Sequence, residues 1–399
     1  MIPAIKQSLL LGECDRPRMW SVEFSPGSSI GVRRDLARDL EANVAIGAGL
    51  VRNDFDRIPI FQRPIFNATW DKAEQTWINL TPREDPTFSW SPTEPYREVI
   101  YRCQPFWYKL DMSKDYAPTY VSVSDRPLEG FALAPMFQNG RDFVYRPCFE
   151  LTLGEDGLPH SRAGKLPLRS DLVTMMAHAR AYDSAARTES IRDWFSDALL
   201  QLVEFARWDF NNVMTGNTAA VQNSGAGLID LQASSGCAAN GAPCAWRGKE
   251  NPWKNMNSVL CDVLLCKDTS LGAVTLCYLD DMRHFDGTAN EHYQTAGIFC
   301  AQVNGNREYC GFAMGSNFFY PARDKITGAV GKGAVYLYIN GATIDPLAVG
   351  VGGNSTTNLL TTNAKPSPLN FECADMSNWR VEHFGARLVL DKEVKYGTV

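Results

Sequence analysis

Residues 170–206, SDLVTMMAHARAYDSAARTESIRDWFSDALLQLVEFA, contain two segments in which apolar residues recur at intervals of three and four. This spacing places the apolar residues on one face of an α-helix, so we predict helices near 170–182 and 188–206. Ser170 is the predicted N-cap of the first helix, because its hydroxyl can accept a hydrogen bond from a first-turn N–H. The second helix has a predicted core face of Ile191, Trp194, Phe195, Ala198, Leu199, Leu202, Val203 and Ala206.

Short strands are predicted on both sides of the helical pair. Before it, residues 97–110 form a strand pair interrupted at Pro105, and further strands lie at 116–123 and 143–153. After it, the clearest strands are predicted at 274–279, 297–303, 334–339 and 384–390. The sequence therefore predicts an α+β fold with a β-rich N-terminal part.

The composition is that of a globular protein without affinity for nucleic acid. The 399 residues are 45% hydrophobic and 21% charged, and the net charge is −6. No basic tract is present, so we expect no binding to a phosphate backbone. The sequence has neither a signal-peptide core nor an apolar stretch of about eighteen residues, so we expect folding in a cytoplasm without membrane insertion.

The eleven cysteines do not form a zinc or redox motif. Their number is odd, no pair has the spacing C-x-x-C, and the five histidines are scattered. A structural zinc site needs clustered ligands, so we predict no metal site and no cofactor. Buried free thiols are the favoured interpretation, but the pairs Cys237 with Cys244 and Cys261 with Cys266 leave disulfides open.

The sequence has no recognised catalytic motif. It lacks G-x-S-x-G and H-E-x-x-H, and the glycine-rich residues 328–333 do not have the spacing of a phosphate-binding loop. Asp280, Asp281 and Asp286 form an acidic cluster that does not match a calcium loop, so a solvated turn is predicted. We therefore expect a protein that is not an enzyme. Paired carboxylates for glycoside cleavage stay open, because one sequence does not give their separation.

Two local patterns resemble phage tail-fibre and prophage fibre proteins. Residues 105–109, PFWYK, precede Val123-Ser124, Gly130-Phe131 and residues 135–137, PMF, in the order of a strand pattern common in that family. This chain has Ala134 where the family often has His. The helical pair, including residues 201–205, QLVEF, is similar to the helical pair of the same family.

Two further matches extend the resemblance toward the C-terminus. Residues 246–255, WRGKENPWKN, look like the Y-R-G-x-E-N-P-W/F-G-N signature of these fibre proteins, with Lys254 in place of Gly. A related element occurs in formylglycine-generating-enzyme-like domains, which share the C-type-lectin-like fold. The fourth match is Gly352-Gly353-Asn354-Ser355 with residues 385–388, GARL, which resemble the ending of that fold.

The resemblance implies three parts and a role in the virion. They are an N-terminal attachment segment (1–30), a β-rich fibre domain (31–165) and a C-type-lectin-like domain (166–399) with two helices on a twisted antiparallel sheet. A virion fibre protein of this kind binds a host-surface receptor, glycan or protein, contacts other virion proteins and is commonly a homotrimer. The alternative is a structural virion component, such as a collar or head decoration, of the same fold without a host ligand.

The predicted receptor-binding residues lie on a loop after Gly353. Hydrogen-bonding side chains and an aromatic ring on a loop with fixed ends are typical of a binding surface. The candidates are Asn354, Ser355, Thr356, Asn358, Asn378, Trp379 and Arg380. Trp379 also has an alternative interpretation as a core residue beside the closing strand.

The signature residues are predicted to be structural. Glu250 and Asn251 are expected to bind backbone groups of the loops, because buried polar groups need partners, and Arg247 is expected to pair with an acid. The structural set comprises Trp246, Arg247, Gly248, Glu250, Asn251, Pro252, Trp253, Asn255, Gly352, Gly353, Gly385 and Arg387.

Overall fold

The structure is a computed structural model and describes residues 18–42, 44–47, 50–112, 118–137, 142–208, 210, 222–225, 235–237, 244–253, 255–268, 270, 273–301, 305–308, 312–315, 317–321, 336–339, 346–352, 369, 371–375 and 384–392. Within these ranges it has two α-helices and many short strands, which pair mostly antiparallel. The prediction of an α+β, β-rich protein is therefore confirmed.

The N-terminal part contains two main sheets and two small hairpins. Its strands are β1 (Met19–Phe24), β2 (Gly31–Asp35), β3 (Val44–Gly47), β4 (Leu50–Arg52), β5 (Ile65–Asp71), β6 (Thr76–Pro82), β7 (Arg97–Cys103), β8 (Trp107–Met112), β9 (Pro118–Ser124), β10 (Ala132–Leu133), β11 (Val144–Pro147), β12 (Thr152–Leu153) and β13 (Pro159–His160). One sheet has the order β10-β8-β9-β1-β2 and the other β11-β7-β5-β6, while β3–β4 and β12–β13 are the hairpins. Pro105 separates β7 from β8, as predicted. Short 3-10 helices are formed by Asp54–Arg57, Pro59–Phe61 and Pro135–Phe137.

Helix α1 (Leu172–Tyr182) is capped by Asp171, so the prediction of Ser170 as its N-cap is wrong. The Asp171 carboxylate accepts a hydrogen bond of 2.8 Å from the Thr174 N–H. The negative charge of a carboxylate also suits the positive end of the helix dipole. The backbone N–H of Ser170 instead donates to Phe384 O at 3.3 Å.

Helix α2 (Ile191–Phe205) begins with a capping box formed by Ser190 and Asp193. Ser190 Oγ accepts the Asp193 N–H at 3.1 Å, and Asp193 Oδ2 accepts the Ser190 N–H at 2.9 Å. This pair places the helix start three residues after the predicted one, because the cap residue itself is not helical. The helix ends at Phe205 and is followed by the C-cap residue Ala206, whose φ of 52° is left-handed. All 15 residues of the helix are buried, including its polar ones, so the predicted core face is confirmed but is only part of the buried surface.

The C-terminal part is built on one large sheet. The strands of the whole C-terminal part, counted from β14 between the two helices, are β14 (Ala186–Arg187), β15 (Ser235–Cys237), β16 (Cys244–Trp246), β17 (Lys249–Glu250), β18 (Asn257–Asp268), β19 (Ala273–Tyr278), β20 (Gln294–Ala301), β21 (Gly305–Glu308), β22 (Phe312–Met314), β23 (Phe319–Pro321), β24 (Tyr336–Ile339), β25 (Leu347–Val351), β26 (Phe371–Asp375), β27 (Phe384–Gly385) and β28 (Val389–Leu390). The sheet has the order β20-β19-β18-β25-β26-β24-β21, with β27 also on β18. The pairs β18–β27 and β24–β26 are parallel, and the other pairs of this sheet are antiparallel.

The predicted closing strand at 384–390 is divided into two short strands, which corrects the prediction. Strand β27 pairs with β18, whereas β28 pairs with β14. Between them, Ala386 O accepts the Leu151 N–H at 2.7 Å. The backbone therefore leaves one sheet and joins another within seven residues. The pattern of apolar residues in the sequence does not reveal such a change.

The largest cluster of buried apolar side chains joins the N-terminal sheets to the C-terminal sheet through helix α2. Val121 of β9, Phe195 of α2 and Val349 of β25 belong to one continuous cluster of buried side chains. A second cluster packs α1 against β18 through residues such as Met175 and Leu264. Packing is thus continuous across residue 165, and strand β1 lies between β2 and β9. The division at residues 30 and 165 stays a prediction.

Candidate functional site

The signature has a tight turn between β16 and β17, and its described residues continue to Trp253 and, at Asn255, to the start of β18. Arg247 and Asn251 have φ values of 47° and 46°, and Gly248 has a φ of 85°. A Cβ atom on Gly248 would lie 2.9 Å from Tyr101 Cβ, so both the backbone angle and the space favour glycine here. The turn therefore lies directly against strand β7 of the N-terminal part.

Trp246 and Arg247 both bind the carboxylate of Glu204, near the end of helix α2. The indole N–H of Trp246 donates to Glu204 Oε2 at 2.9 Å. The guanidinium of Arg247 donates through Nε at 2.7 Å and through Nη2 at 2.9 Å. Asn53 Nδ2 donates to the same carboxylate at 2.6 Å. The expectation that Arg247 pairs with an acid is confirmed, and Glu204 joins the signature to the helix and to the N-terminal part.

Lys249 and Glu250 extend this buried network on the other side of the turn. Lys249 Nζ donates to Glu189 Oε1 at 2.6 Å and to Asp197 Oδ2 at 3.2 Å. Both oxygens of Glu250 accept the backbone N–H of Gly225 at 3.0 Å. Glu250 thus holds a loop backbone, which is the contact that was expected of it.

The two C-terminal motifs of the resemblance meet in space. The Arg387 guanidinium donates to the backbone oxygens of Asn251 at 3.0 Å and Cys148 at 3.2 Å, and also to that of Glu250. Asn251 takes part through its carbonyl oxygen, so the expected contact of its side chain with a loop backbone is wrong for the described residues. Asn255 donates to Glu150 Oε2 at 2.5 Å and accepts the Gln222 N–H at 3.0 Å. Arg387, Glu250, Asn251 and Asn255 form one anchoring region around the start of β18.

Ser258 of β18 lies between the two ends of the predicted receptor-binding loop. It is in register with Val351 of β25 on one side and with Gly385 of β27 on the other. Neighbouring strands are about 4.8 Å apart, so these flanking strands are only about 10 Å apart. Gly352 has a φ of 99° and approaches Pro252 and Trp253, where a Cβ atom would meet both backbones at 3.4 Å. Both flanks of the loop are thus attached to the signature.

The candidate receptor-binding residues themselves lie outside the described residues. These are Asn354, Ser355, Thr356, Asn358, Asn378, Trp379 and Arg380, and Gly353 lies outside them as well. Their role stays a prediction. The prediction of one loop from Gly353 to Arg380 is wrong, because strand β26 (Phe371–Asp375) interrupts this segment and pairs with β25 and β24 in the large sheet. The described residues bring together Trp246, Arg247, Gly248, Glu250, Asn251, Pro252, Trp253, Asn255, Gly352, Gly385 and Arg387.

A bulge in β18 connects the large sheet to the start of helix α2. The register with β25 shifts between Leu260 and Leu264, and Asp262 lies in the unpaired part. Its carboxylate accepts the Ile191 N–H at 2.7 Å and a hydrogen bond from Arg192 Nη1 at 3.0 Å. Burial nevertheless raises the pKa of Asp262 to about 6, because desolvation disfavours the charged form. Asp262 therefore fixes the helix to the sheet that carries the loop.

The predicted acidic cluster only partly forms a solvated turn. Asp281 accepts the Arg283 N–H at 3.0 Å at the start of the 3-10 helix Met282–His284, and Asp286 accepts the Thr288 N–H at 2.8 Å. Asp280 instead accepts a hydrogen bond of 2.6 Å from the buried Arg192. In the part of the chain that the structure describes, no three His, Cys, Asp or Glu side chains are grouped so as to hold a metal ion.

The structure decides one of the two disulfide pairings that the sequence left open. Cys261 is a free thiol whose Sγ donates to Thr188 O at 3.2 Å, so it does not form a disulfide with Cys266 in the structure. Burial raises the pKa of the Cys261 thiol to about 12, which makes it unreactive at neutral pH. Cys237 and Cys244 are opposite each other in the register of β15 and β16, and their pairing stays open.

The structure also contains a polar cluster that sequence reasoning missed. Glu98 of β7 is buried and accepts hydrogen bonds from His160 Nδ1 at 2.7 Å and from the Tyr182 hydroxyl at 3.0 Å. His160 Nε2 lies 3.2 Å from both carboxylate oxygens of Asp156. Glu98 and His160 are 62 positions apart, and no motif in the sequence connects them.

Comparison with known proteins does not assign the chain to a family. No protein-family model matches it, and no curated protein matches it. Separately, none of the helices among the described residues is both long and apolar enough to cross a membrane.

Proposed function

We propose that this chain is a bacteriophage virion fibre protein that binds a host-surface receptor through the loops of a C-type-lectin-like domain at residues 166–399. In this proposal, the receptor contacts come from Asn354, Ser355, Thr356 and Asn358, which precede strand β26, and from Asn378, Trp379 and Arg380, which follow it. The signature at 246–255 supports both segments. The receptor is a glycan or a protein of the host surface. Residues 1–30 attach the chain to other virion proteins, and residues 31–165 form the fibre domain.

The observation that carries the proposal is the attachment of both loop flanks to Ser258 and the signature. Long binding loops need a rigid base, because a mobile base would add an entropic cost to every contact. The base here is fixed by buried hydrogen bonds that the Arg387 guanidinium donates and the Glu250 carboxylate accepts, and by the backbone angle of Gly352. A helical pair on a mainly antiparallel sheet supports the lectin-like assignment.

The proposal is tested with labelled purified protein and intact cells of the bacterium on which the particle propagates. We expect saturable binding to these cells and none to cells that resist the particle. A loop variant in which residues 354–358 are replaced by Gly and Ser should unfold at the parental temperature and lose binding. A matched variant of the exposed turn at Thr288 and Asn290 should bind as the parent does. Parental binding by the loop variant would contradict the proposal.

The same experiment separates the proposed function from a structural role in the particle. A collar or head-decoration protein of the same fold would be present in purified virions but would not bind cells at any concentration.

We further propose a homotrimer, since three linked sites multiply a weak contact into stable attachment. Multi-angle light scattering should give three times the chain mass of 44.4 kDa. A stable monomer at micromolar concentration would contradict the trimer.

A further inference from the structure

A cleft of about 480 Å³ opens beside the hairpin β12–β13 in the N-terminal part of the protein. Its walls come from the segment 91–95, from the hairpin with its turn, and from residues 162–165. Binding sites for small molecules have volumes of about 300–1,000 Å³, so the cleft is large enough for one or two sugar rings. The proposal for this cleft does not depend on the function proposed for the C-terminal residues.

One wall of the cleft carries a carboxylate that is held in a fixed position. Asp156 Oδ1 accepts the Leu158 N–H at 3.0 Å, and both oxygens lie 3.2 Å from His160 Nε2. His160 is itself held by Glu98. A Cβ atom on Gly154 would lie 2.4 Å from Asp156 Oδ1 and 2.6 Å from the His160 ring, so glycine permits this close arrangement. The Asp156 side chain remains 48% exposed and can accept further hydrogen bonds.

The same cleft carries a donor whose orientation is fixed. Arg162 Nε donates to Arg97 O at 3.1 Å, and Nη2 donates to Glu94 O at 2.9 Å. These two bonds set the plane of the guanidinium at the cleft wall. A preset acceptor and a preset donor can bind a ligand without a further loss of side-chain entropy.

The charges and apolar groups of the cleft indicate the kind of ligand. Arg162 and Lys165 contribute two positive charges, and Glu155 and Asp156 contribute two negative charges, so these four cancel. Pro92, Pro95 and Leu153 add apolar surface. A sugar ring combines hydroxyl groups with C–H faces that pack on apolar side chains, and this combination fits both features.

We propose that this cleft is a binding site for a neutral carbohydrate. Two neighbouring ring hydroxyls donate to the Asp156 carboxylate, and Arg162 donates to a ring or hydroxyl oxygen. The C–H face of the ring packs against Pro92, Pro95 and Leu153. Arg162 and Lys165 would repel a cationic ligand, and Glu155 and Asp156 would repel an anionic one.

The test uses the full-length protein and six defined probes, followed by saturation-transfer NMR and titration. The neutral probes are the methyl glycosides of glucose, galactose, mannose and N-acetylglucosamine, and the charged probes are N-acetylneuraminic acid and glucosamine. We expect at least one neutral probe to saturate the protein with a Kd of about 0.1–10 mM. The charged probes should bind at least about tenfold more weakly.

Two variants connect the binding to the cleft. Asp156→Asn should weaken binding of the best probe at least about tenfold, because a neutral amide is a weaker acceptor and presents one oxygen instead of two. Thr93→Trp, at an exposed position of the cleft wall, should abolish binding by filling the space. The matched control is Asp85→Asn, which changes an exposed turn carboxylate outside the cleft.

Three outcomes would overturn the proposal. They are no saturation by any of the four neutral probes, stronger binding of a charged probe, and unchanged binding in Thr93→Trp. Unfolding temperatures of all variants are measured in parallel. If Asp156→Asn is destabilised, the result for Thr93→Trp decides alone, because the Thr93 side chain is exposed and has no hydrogen-bond partner among the residues that the structure describes.

Discussion

Arg247 and Glu204 form a two-point ion pair in the interior, with 2% and 0% of their side-chain surfaces exposed. The two hydrogen bonds, of 2.7 Å and 2.9 Å, match the planar guanidinium to both carboxylate oxygens. Arg247 Nη1 also donates to Phe61 O at 2.8 Å. This ion pair therefore connects the turn between β16 and β17, helix α2 and the N-terminal part through buried contacts.

Replacing Glu204 should therefore destabilise the whole protein. Glu204→Ala leaves the Arg247 guanidinium, the Trp246 indole and the Asn53 amide without their shared acceptor. Breaking a buried ion pair by removing one partner costs about 3–5 kcal/mol. We expect a loss of this size in the free energy of unfolding, measured by denaturant titration. The matched control is Glu23→Ala, whose pair with Arg34 is exposed and contributes about 1 kcal/mol or less. Equal losses in the two variants would contradict this account.

Helix α2 shows how far the sequence alone predicts the fold. Its apolar spacing predicted the core face and, within three residues, its start. The burial of its polar residues could not be predicted, because their partners are distant in the chain. Asp193 binds Arg146, 47 positions earlier, and Arg146 also binds Asp391, 245 positions later. Local periodicity carries no information about such pairs.

The candidate site was predictable to a similar degree. The contiguous sequence of residues 246–255 identified a structural motif, and the resemblance placed Gly352 and Gly385 in the same structural set. The position of Ser258 between the two loop flanks depends on strand register, which a sequence of short strands does not determine. The same applies to the meeting of His160 and Glu98.

The structural role of Glu250 gives a second prediction. Its carboxylate is buried and accepts the Gly225 N–H with both oxygens, so Glu250→Ala leaves this backbone group without its acceptor. An unsatisfied buried polar group costs about 1–3 kcal/mol. We expect a lower unfolding temperature and, as a consequence, weaker binding to cells, with partial recovery of both in Glu250→Gln. Unchanged thermal stability together with abolished binding would instead make Glu250 a contact residue.

The His160 cluster predicts a pH dependence of stability. Burial lowers the pKa of His160, but the hydrogen bond and charge of Glu98 outweigh this effect, so the pKa is raised overall. A raised pKa in the folded state gives stability that is complete below the unfolded value of about 6.5 and is lost as pH rises through the folded value. The unfolding temperature of the parent should therefore fall more between about pH 6 and pH 8 than the unfolding temperature of His160→Gln does.

Thr288→Ala, which removes no group that titrates between about pH 6 and pH 8, is the control for this measurement and should keep the parental pH profile. If His160→Gln also keeps the parental profile, the ion pair between His160 and Glu98 does not contribute to stability. The measurement needs only scanning calorimetry at a series of pH values in one buffer mixture.

The central claim is that the segments on either side of strand β26 bind the host and that the signature only supports them. Adsorption of particles that carry Trp379→Ala, or the combined change Asn354→Ala and Asn358→Ala, tests it most directly. Trp side chains at the centre of an interface contribute about 2 kcal/mol or more, so we expect adsorption to fall about thirtyfold in Trp379→Ala, with an unchanged unfolding temperature. A lowered unfolding temperature would make Trp379 a core residue and leave the test to the double variant. Normal folding and parental adsorption in both variants would contradict the claim.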